Sequence, residues 1–555
     1  MSTTHFFNGK AIKLPGVYSA IKSVSPANFV AASYSKCLIL NVNPDYAFGG
    51  SVKGELTKGG DAVYRLRTTQ EAQSFLKAGY PWYISDCLFN PSRQEGRQGI
   101  SELYVLNALS STAPVLTMKL SGSKSFSIRV KDECSWANGE KIYSSNLPTS
   151  VADIPSENLK KGYALCIEKG TRNPSKYIVQ VWQGTFKGLH TDGLAWDGVS
   201  EQYCKPELAF ASPEISTLQE FIDWAKTNDV FNAGFSLSAL ESDITLSAAD
   251  ITSNKFILAT GGTATYSADA LESALDLMKT GDYTTIFCLD KSGTTLTGGV
   301  SIDTVHARLQ TYCQKETKFP KYLAIPGVST GSANDLASNV EVAKKCNSER
   351  VWLVHGEARR SATYAPLGYR VFDSVAMTAL VVGRILGLPP QVPATFKDLA
   401  IDGIENPLTS LQLEDSLDAG VLVVNYDEDL QQYCILRGIN TLQNNTSLQN
   451  PDGSTFSIQI SRICLQLNTD LMINAKKEIF GPNHTANRFT VSPGYLKNWM
   501  KVFLQSKVAT QLQDNLIINH SDESVERRGD AYYCSYRFET NTEIAFVFFT
   551  GFAIN

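Results

Sequence analysis

The decisive stretch runs from Thr285-Ile-Phe-Cys-Leu289 through Ile302 to Lys315, Tyr322-Leu-Ala-Ile325 and Asn334 to Cys346, and ends at Val351-Trp-Leu-Val354. Short apolar runs alternate here with longer amphipathic segments. Unbroken apolar runs of this length are what strands covered on both faces look like. The segments between them are long enough for the helical crossovers that parallel strands require. The spacing therefore predicts βαβ units and a central, mainly parallel sheet.

Working upstream, Phe256-Ile-Leu-Ala259, Gly261-Gly262 and a helix from about Ser267 to Lys279 read as another strand–helix unit of that sheet. Residues 119–205 differ in character. Phe126–Val130, Tyr163–Ile167 and Tyr177–Trp182 have β-like spacing and are separated by turn residues such as Gly139, Gly170 and Asn173-Pro174. They read as a small antiparallel β insertion. Before it, Phe29–Ala32 and Cys37–Val42 are strand-like, and Thr69 to Ala78 is a helix whose Thr68/Thr69 start and Glu71 form a capping signal. Residues 27–118 plus 206–380 are thus expected to form one α/β domain.

Working downstream, residues 381–542 read as a separate α+β unit. It holds a short helix at Leu408–Asp418, strands at Val421–Val424 and Cys434–Leu436, and a long helix at Ser457–Phe480. A second helix has Ser492 as its cap and Pro493 at its first position, and runs to about Asp514. Tyr532 to Phe538 is strand-like. The expected fold class is a multidomain α/β and α+β protein with extended arms at both ends.

The arms are 1–26 and 543–555. The first carries Leu14, Val17, Tyr18 and Ile21 among Gly9, Pro15 and Gly16. The second is a strand, Glu543-Ile-Ala-Phe-Val-Phe-Phe549, whose Ile544, Phe546 and Phe548 share one side. An apolar strand left on a sheet edge invites pairing with another chain. An extended arm of some 25 residues can reach across a neighbouring subunit, roughly 80 Å at full stretch. Exchange of arms between subunits, each adding a strand to a neighbour's sheet, meets both needs.

The 555 residues suggest about three or four domains. Charged residues are 19% of the chain, below the usual figure of about 25%. With 10% aromatics this excludes global disorder. A net charge of −5 argues against a general nucleic-acid binder, which needs a Lys/Arg excess. The longest apolar run, Ala376 to Leu388, is broken by Arg384 and is too short to span a bilayer, so no membrane insertion is expected. Met1 to Lys13 has no signal-peptide core, which predicts a protein made and kept in the cytoplasm. The 11 cysteines include no CxxC pair and read as reduced thiols, and the 6 histidines form no HExxH. No cofactor and no metal is expected.

The strongest enzyme-like motif is Gly327-Val328-Ser329-Thr330-Gly331, a G-x-S-x-G after a strand and before a helix. In a hydrolase elbow, Ser329 would be the nucleophile and His355, His484 or His520 the base. The competing reading is an ordinary βα loop. Gly261-Gly262-Thr263 could cradle a phosphate at a helix start, but it lacks both the dinucleotide spacing and the Walker lysine. His355 to Arg360 reads as a solvated or inter-subunit loop. Glu414/Asp415 and Asp427/Glu428/Asp429 read as solvated carboxylates.

Several stretches, in order, resemble the sheath proteins of contractile phage tails and related injection systems. Leu14-Pro15-Gly16-Val17-Tyr18 is similar to the family's opening segment, and Leu258 to Thr263 to the start of its central unit. Ile325-Pro326-Gly327 and Arg350-Val351 resemble its next strand ends. Ala376–Gly387, Asn406 to Leu422, Ile435 to Thr441 and Tyr532–Phe549 follow in family order.

The resemblance implies a structural, non-enzymatic subunit of a virion tail. Such subunits stack as hexameric rings around an inner tail tube protein, end at baseplate and tail terminator proteins, and contract to drive the tube through a cell envelope. It places residues 381–542 against the tube, where Lys497, Lys501 and Lys507 of the 493–514 helix are candidate contacts. The alternatives from other classes are a serine hydrolase at Ser329 and a capsid-like phage structural protein.

Overall fold

The computed structural model describes residues 5–7, 10–12, 34–44, 64–76, 80–94, 99–131, 137–143, 157–184, 206–239, 243–279, 281–290, 302–316, 321–329, 334–361, 369–443, 455–479, 491–508, 516–529 and 531–540. The expected strand at Phe29–Ala32 and the arm residues Leu14, Val17, Tyr18, Ile21, Ile544, Phe546 and Phe548 lie outside them. Within 1–26, His5–Phe7 pairs antiparallel with Lys10–Ile12.

The central sheet has seven strands: β1 (Lys36–Asn41), β2 (Tyr64–Leu66), β3 (Glu102–Asn107), β4 (Thr285–Leu289), β5 (Tyr322–Pro326), β6 (Val351–Val354) and β7 (Val421–Leu422), in the spatial order β7-β6-β5-β4-β1-β3-β2. All pairs are parallel except β2 on β3. Alternate residues of each strand serve two cores. Cys37, Ile39, Phe287, Ala324 and Trp352 face α1 (Thr69–Leu76), α2 (Tyr80–Phe89) and a helix at Ser374–Leu386. Leu38, Leu40, Ile286, Leu323 and Leu353 face α3 (Ala268–Met278), α4 (Ile302–Thr311) and α5 (Asp335–Cys346). This period-2 division between two apolar faces is why the strand sequences carry no polar alternation.

The Ser374–Leu386 helix, α6, is the expected small-residue helix, and every one of its residues is buried. Asp373 caps it by accepting from the Val375 and Ala376 amides. At Gly383 a Cβ would meet the Leu88 carbonyl at 2.5 Å, so α6 can lie this close to α2 only with glycine there. The charge that interrupts the run, Arg384, is sealed inside. It pairs with Asp398 at 3.0 Å, with side-chain exposures of 2% and 6%. Asp398 also accepts from Ser92. The capping signal at α1 is present too: the Glu71 amide donates to Thr68 at 3.1 Å, and the Glu71 carboxylate takes the Arg67 amide at 2.6 Å.

Three expectations are corrected. The first concerns Phe256–Ala259, which do not enter the central sheet. Ile257–Leu258 pairs antiparallel with the Tyr163–Lys169 strand of the insertion. Pro206–Ala211 is likewise the outer strand of that insertion sheet, paired with Tyr177–Gly184, so the expected break at 205/206 falls inside one sheet. A second small sheet, from Val115–Leu120, Lys124–Val130 and Phe235–Leu237, packs with it. Phe210 anchors their core, 4.9 Å from Phe231 and 5.1 Å from Phe235. The insertion is tied to the central sandwich by an antiparallel ribbon of Leu109–Thr112 with Thr263–Tyr266. A four-residue apolar run suits either sheet equally, because only a distant partner distinguishes them.

Second, the expected boundary at 380/381 does not separate cores. β7 closes the central sheet, and Leu399, Ile435, Ile439 and Ile458 belong to the core under α6. A separate core appears only beyond residue 460, where Ile463 and Leu467 meet Met500, Phe503, Leu504 and Ile517. Its helices are α7 (Ile458–Glu478, capped by Ser457) and α8 (Pro493–Lys507, capped by Ser492). Third, α4 gives way to a π-turn at Tyr312–Glu316, and α8 stops at Lys507 rather than near Asp514.

Candidate functional site

Two places could carry function, and the first is the Gly327–Gly331 loop. It leaves the carboxyl end of β5, where ligands of open α/β sheets commonly bind. With the loop after β6 it lines a cleft of about 310 Å³ that holds Ser329, Asp335, His355, Glu357 and Glu405. The Ser329 hydroxyl donates to the Glu357 carboxylate. His355 is engaged elsewhere: its Nδ1 accepts from Asn339 Nδ2 at 2.7 Å. Burial lowers the His355 pKa to about 4, which makes the imidazole a weak base. A nucleophile elbow needs its base on the serine and a strained backbone beneath it. Ser329 has neither: no positive φ occurs there.

The motif's residues have a packing reason instead. Gly327 sits where a Cβ would meet the Val354 carbonyl at 2.5 Å and Asn339 Nδ2 at 2.7 Å. Buried Asn339 bolts the loop, accepting from the Val328 amide at 2.6 Å and donating to its carbonyl at 3.2 Å. Gly262 is used in a similar way. Its amide donates to Asn138 Oδ1 and its carbonyl accepts from Asn138 Nδ2, each at 2.8 Å. A strand then intervenes before α3, so this glycine pair does not open a helix. Glu357–Ser361 is itself a strand, and Arg359 grips Glu405 from it. Among the described residues no cluster of His, Cys, Asp or Glu is arranged to hold a metal ion, and no helix is long and apolar enough to cross a membrane.

The second place is the C-terminal module. On α7 and α8 lies a hairpin of β8 (Asn519–Arg528) and β9 (Ala531–Glu539). Val525, Tyr536 and Phe538 pack down onto the module's small core, and Tyr532 donates to the Val491 carbonyl at 2.6 Å. The ladder is bulged between Ser521 and Ser524, with Asp522 at φ 56°. Within the described residues the sheet has only these two strands, so the outer edge of each is uncovered. A two-stranded sheet is marginal by itself and is completed by further strands or a packed helix. β9 was legible from its aromatics. β8, Asn-His-Ser-Asp-Glu-Ser-Val-Glu-Arg-Arg, has one apolar residue in ten and gave no strand signal.

The three candidate lysines are not equivalent. Lys497 is exposed on α8. Lys501, one turn on, has a half-exposed side chain 3.9 Å from Glu523 of β8. Lys507 turns inward to Asp470 of α7 at 2.6 Å, a pair with 12% and 1% exposure. Tyr495 and Val502 of α8 are exposed alongside.

No protein-family model matches the sequence, and no curated protein matches it. Solved structures do. The chain is similar to a sheath tail protein from Desulfitobacterium hafniense, at 12% identity and a TM-score of 0.55, over 95% of this chain and 100% of the other. It is similar to a sheath tail protein from Listeria innocua at 11% identity and a TM-score of 0.50, over 92% and 97%. Over nearly its whole length, the chain has the fold of these sheath tail proteins.

Proposed function

We propose that this chain is a tail sheath subunit. It polymerises as stacked hexameric rings around an inner tube protein, is anchored by baseplate and terminator proteins, and contracts to push the tube through a target envelope. The observation that carries this reading is the fold likeness over the whole chain, with nearly complete coverage of both partners. The edges of β8 and β9, which pair with no other strand among the described residues, support the arm-exchange part of it. They offer main-chain groups to incoming strands, and residues 1–26 and 543–555 are the segments proposed to supply them. Ser23–Pro26 and Thr540–Thr542 are the proposed hinges. Lys497 and Lys501 on α8 are the proposed tube contacts, since Lys507 is committed to Asp470.

The extended sheath is then a kinetically held state. Rigid domains rotate while strand-exchanged arms keep the mesh connected. The role is mechanical, and the assembled protein belongs in a virion tail.

Negative-stain images of the purified chain test the reading. Helical tubes are the expected result, and monodisperse single particles under all assembly conditions would refute it. Deleting residues 1–20, or 543–555, should leave a folded monomer that forms no tubes. Tubes from either truncation would end the arm-exchange proposal. Reversing Lys497 and Lys501 to Glu should reduce sheath–tube co-assembly, and normal co-assembly would remove α8 from the tube interface. A fluorophosphonate probe should leave Ser329 unlabelled.

A further inference from the structure

We propose that the cleft between the amino-terminal edge of the central sheet and α7 is an oxyanion site, in which Arg462 and Lys321 receive a carboxylate or phosphate group. Arg462, on α7, is 4% exposed, and Lys321, at the start of β5, is 6% exposed. Both line the same small cleft of about 60 Å³. That is the room of about two waters, and it suits one acidic head group. Cations this deeply buried are ordinarily paired with carboxylates, but neither of these is paired with one among the described residues.

Arg462 donates from Nη2 to the Leu388 carbonyl at 2.6 Å and lies 6.0 Å from the Tyr34 ring. No other hydrogen bond occupies its planar fork among the described residues. Lys321 donates to the main-chain carbonyls of Tyr283 and Gly281 and sits 4.5 Å over the Tyr283 ring. The cleft's one lining carboxylate, Asp282, is drawn off by Lys36 at 2.5 Å and has a side chain 74% exposed. Glu102, nearby, is shared between Lys36 and Arg65. Arg350 stacks on Tyr322 and pairs with Glu349 at 3.2 Å.

Burial has the expected consequence: desolvation lowers the Arg462 pKa to about 10, and that of Lys321 to about 8 against a partial opposing pull from Asp282. The walls opposite are apolar, from Leu386, Pro390 and Leu465. An oxyanion there would meet a guanidinium fork and an ammonium in a low-dielectric setting, where charge-assisted bonds are strongest. The segment that leads into the cleft at Tyr34 cannot supply the anion. Residues 1–33 contain Lys10, Lys13 and Lys22 and no Asp or Glu. The two sources to be told apart are a dissolved anion and a side chain of a second copy.

Titrating inorganic phosphate and acetate into the full chain, against chloride at matched ionic strength, tests the site. A dissolved ligand should raise the wild-type Tm saturably, by about 2 °C or more near ~50 mM, with matching calorimetric heat. Arg462→Met should abolish the shift and Lys321→Met should weaken it. If Arg462→Met does not fold, wild-type calorimetry and Lys321→Met decide. A side-chain ligand should leave the free chain indifferent to added anions. In the polymer, which rests on the assembly reading above, carbodiimide should then link Lys321 to an Asp or Glu of an isotopically distinct copy. An anion shift unchanged in both variants overturns the proposal, as does the absence of both anion effect and cross-link.

Discussion

The central sheet and the C-terminal hairpin end in opposite ways. The sheet closes on edge strands of two and three residues, β7 and β2, with helices over both faces. Short edges of this kind offer little to another chain. The hairpin's strands run for ten and nine residues, each with an outer edge that pairs with no other strand among the described residues, and Tyr533 is 55% exposed. Among the described residues, one region uses its main-chain hydrogen-bonding capacity within its own sheet, and the other leaves its outer edges unpaired. A single chain can thus hold a rigid body and an adhesive element side by side. Substitutions should accordingly sort by region: those in the sandwich cost folding, and those on the module's outer surface leave folding alone.

The largest stability effect should come from the buried ion pair of the sandwich. Arg384→Met leaves Asp398 charged, buried and without its cation, and should cost about 3–5 kcal/mol in urea unfolding. Arg384→Met with Asp398→Leu should recover much of that loss, because two matched apolar groups replace two matched charges. A single variant as stable as wild type would mean that the region is less sealed than its burial indicates.

Acid should open the same region next. His306 is fully buried, neither ring nitrogen has a hydrogen-bond partner among the described residues, and burial lowers its pKa to about 3. The folded pKa lies below the unfolded value of about 6.5. Stability is therefore complete above pH ~6.5 and declines as pH falls towards ~3, by about 1.4 kcal/mol per unit. His355, held near 4, acts in the same direction. Near pH 4.5 the loss from His306 should be about 2–3 kcal/mol. Urea melts of His306→Leu should lack that share of the acid slope, and a slope equal to wild type would refute the assignment.

Smaller effects should separate the two sides of α8. Lys507→Met removes the cation from Asp470 and should cost about 1–3 kcal/mol. Lys497→Met, on the exposed side, should change stability by no more than about 0.5 kcal/mol. Equal costs would erase the distinction between inward and outward lysines on this helix.

The amino-acid sequence by itself determined the local pieces. The runs at Cys37, Thr285, Tyr322 and Val351 are strands because unbroken apolar residues suit a sheet covered on both faces. The starts at Ser457 and Ser492-Pro493 are helix caps because a hydroxyl can take the first free amides. The order of these pieces was enough to carry the resemblance that the shared fold bears out.

Tertiary structure decided whatever depended on a distant partner. Phe256–Ala259 joined the insertion instead of the central sheet. Val421–Leu422 joined the central sheet rather than a separate domain, and Lys507 turned inward to Asp470. Ser329 was placed on Glu357 and out of bonding with His355, and the largely polar β8 became a strand by pairing with β9. The reason is the same in each case. A residue's backbone preference is set by its near neighbours. Its partner is set by which surfaces lose most water when they meet, and for Leu258 on Ala164, Val421 on Leu353 and Lys507 on Asp470 that surface lies tens of residues away in the chain.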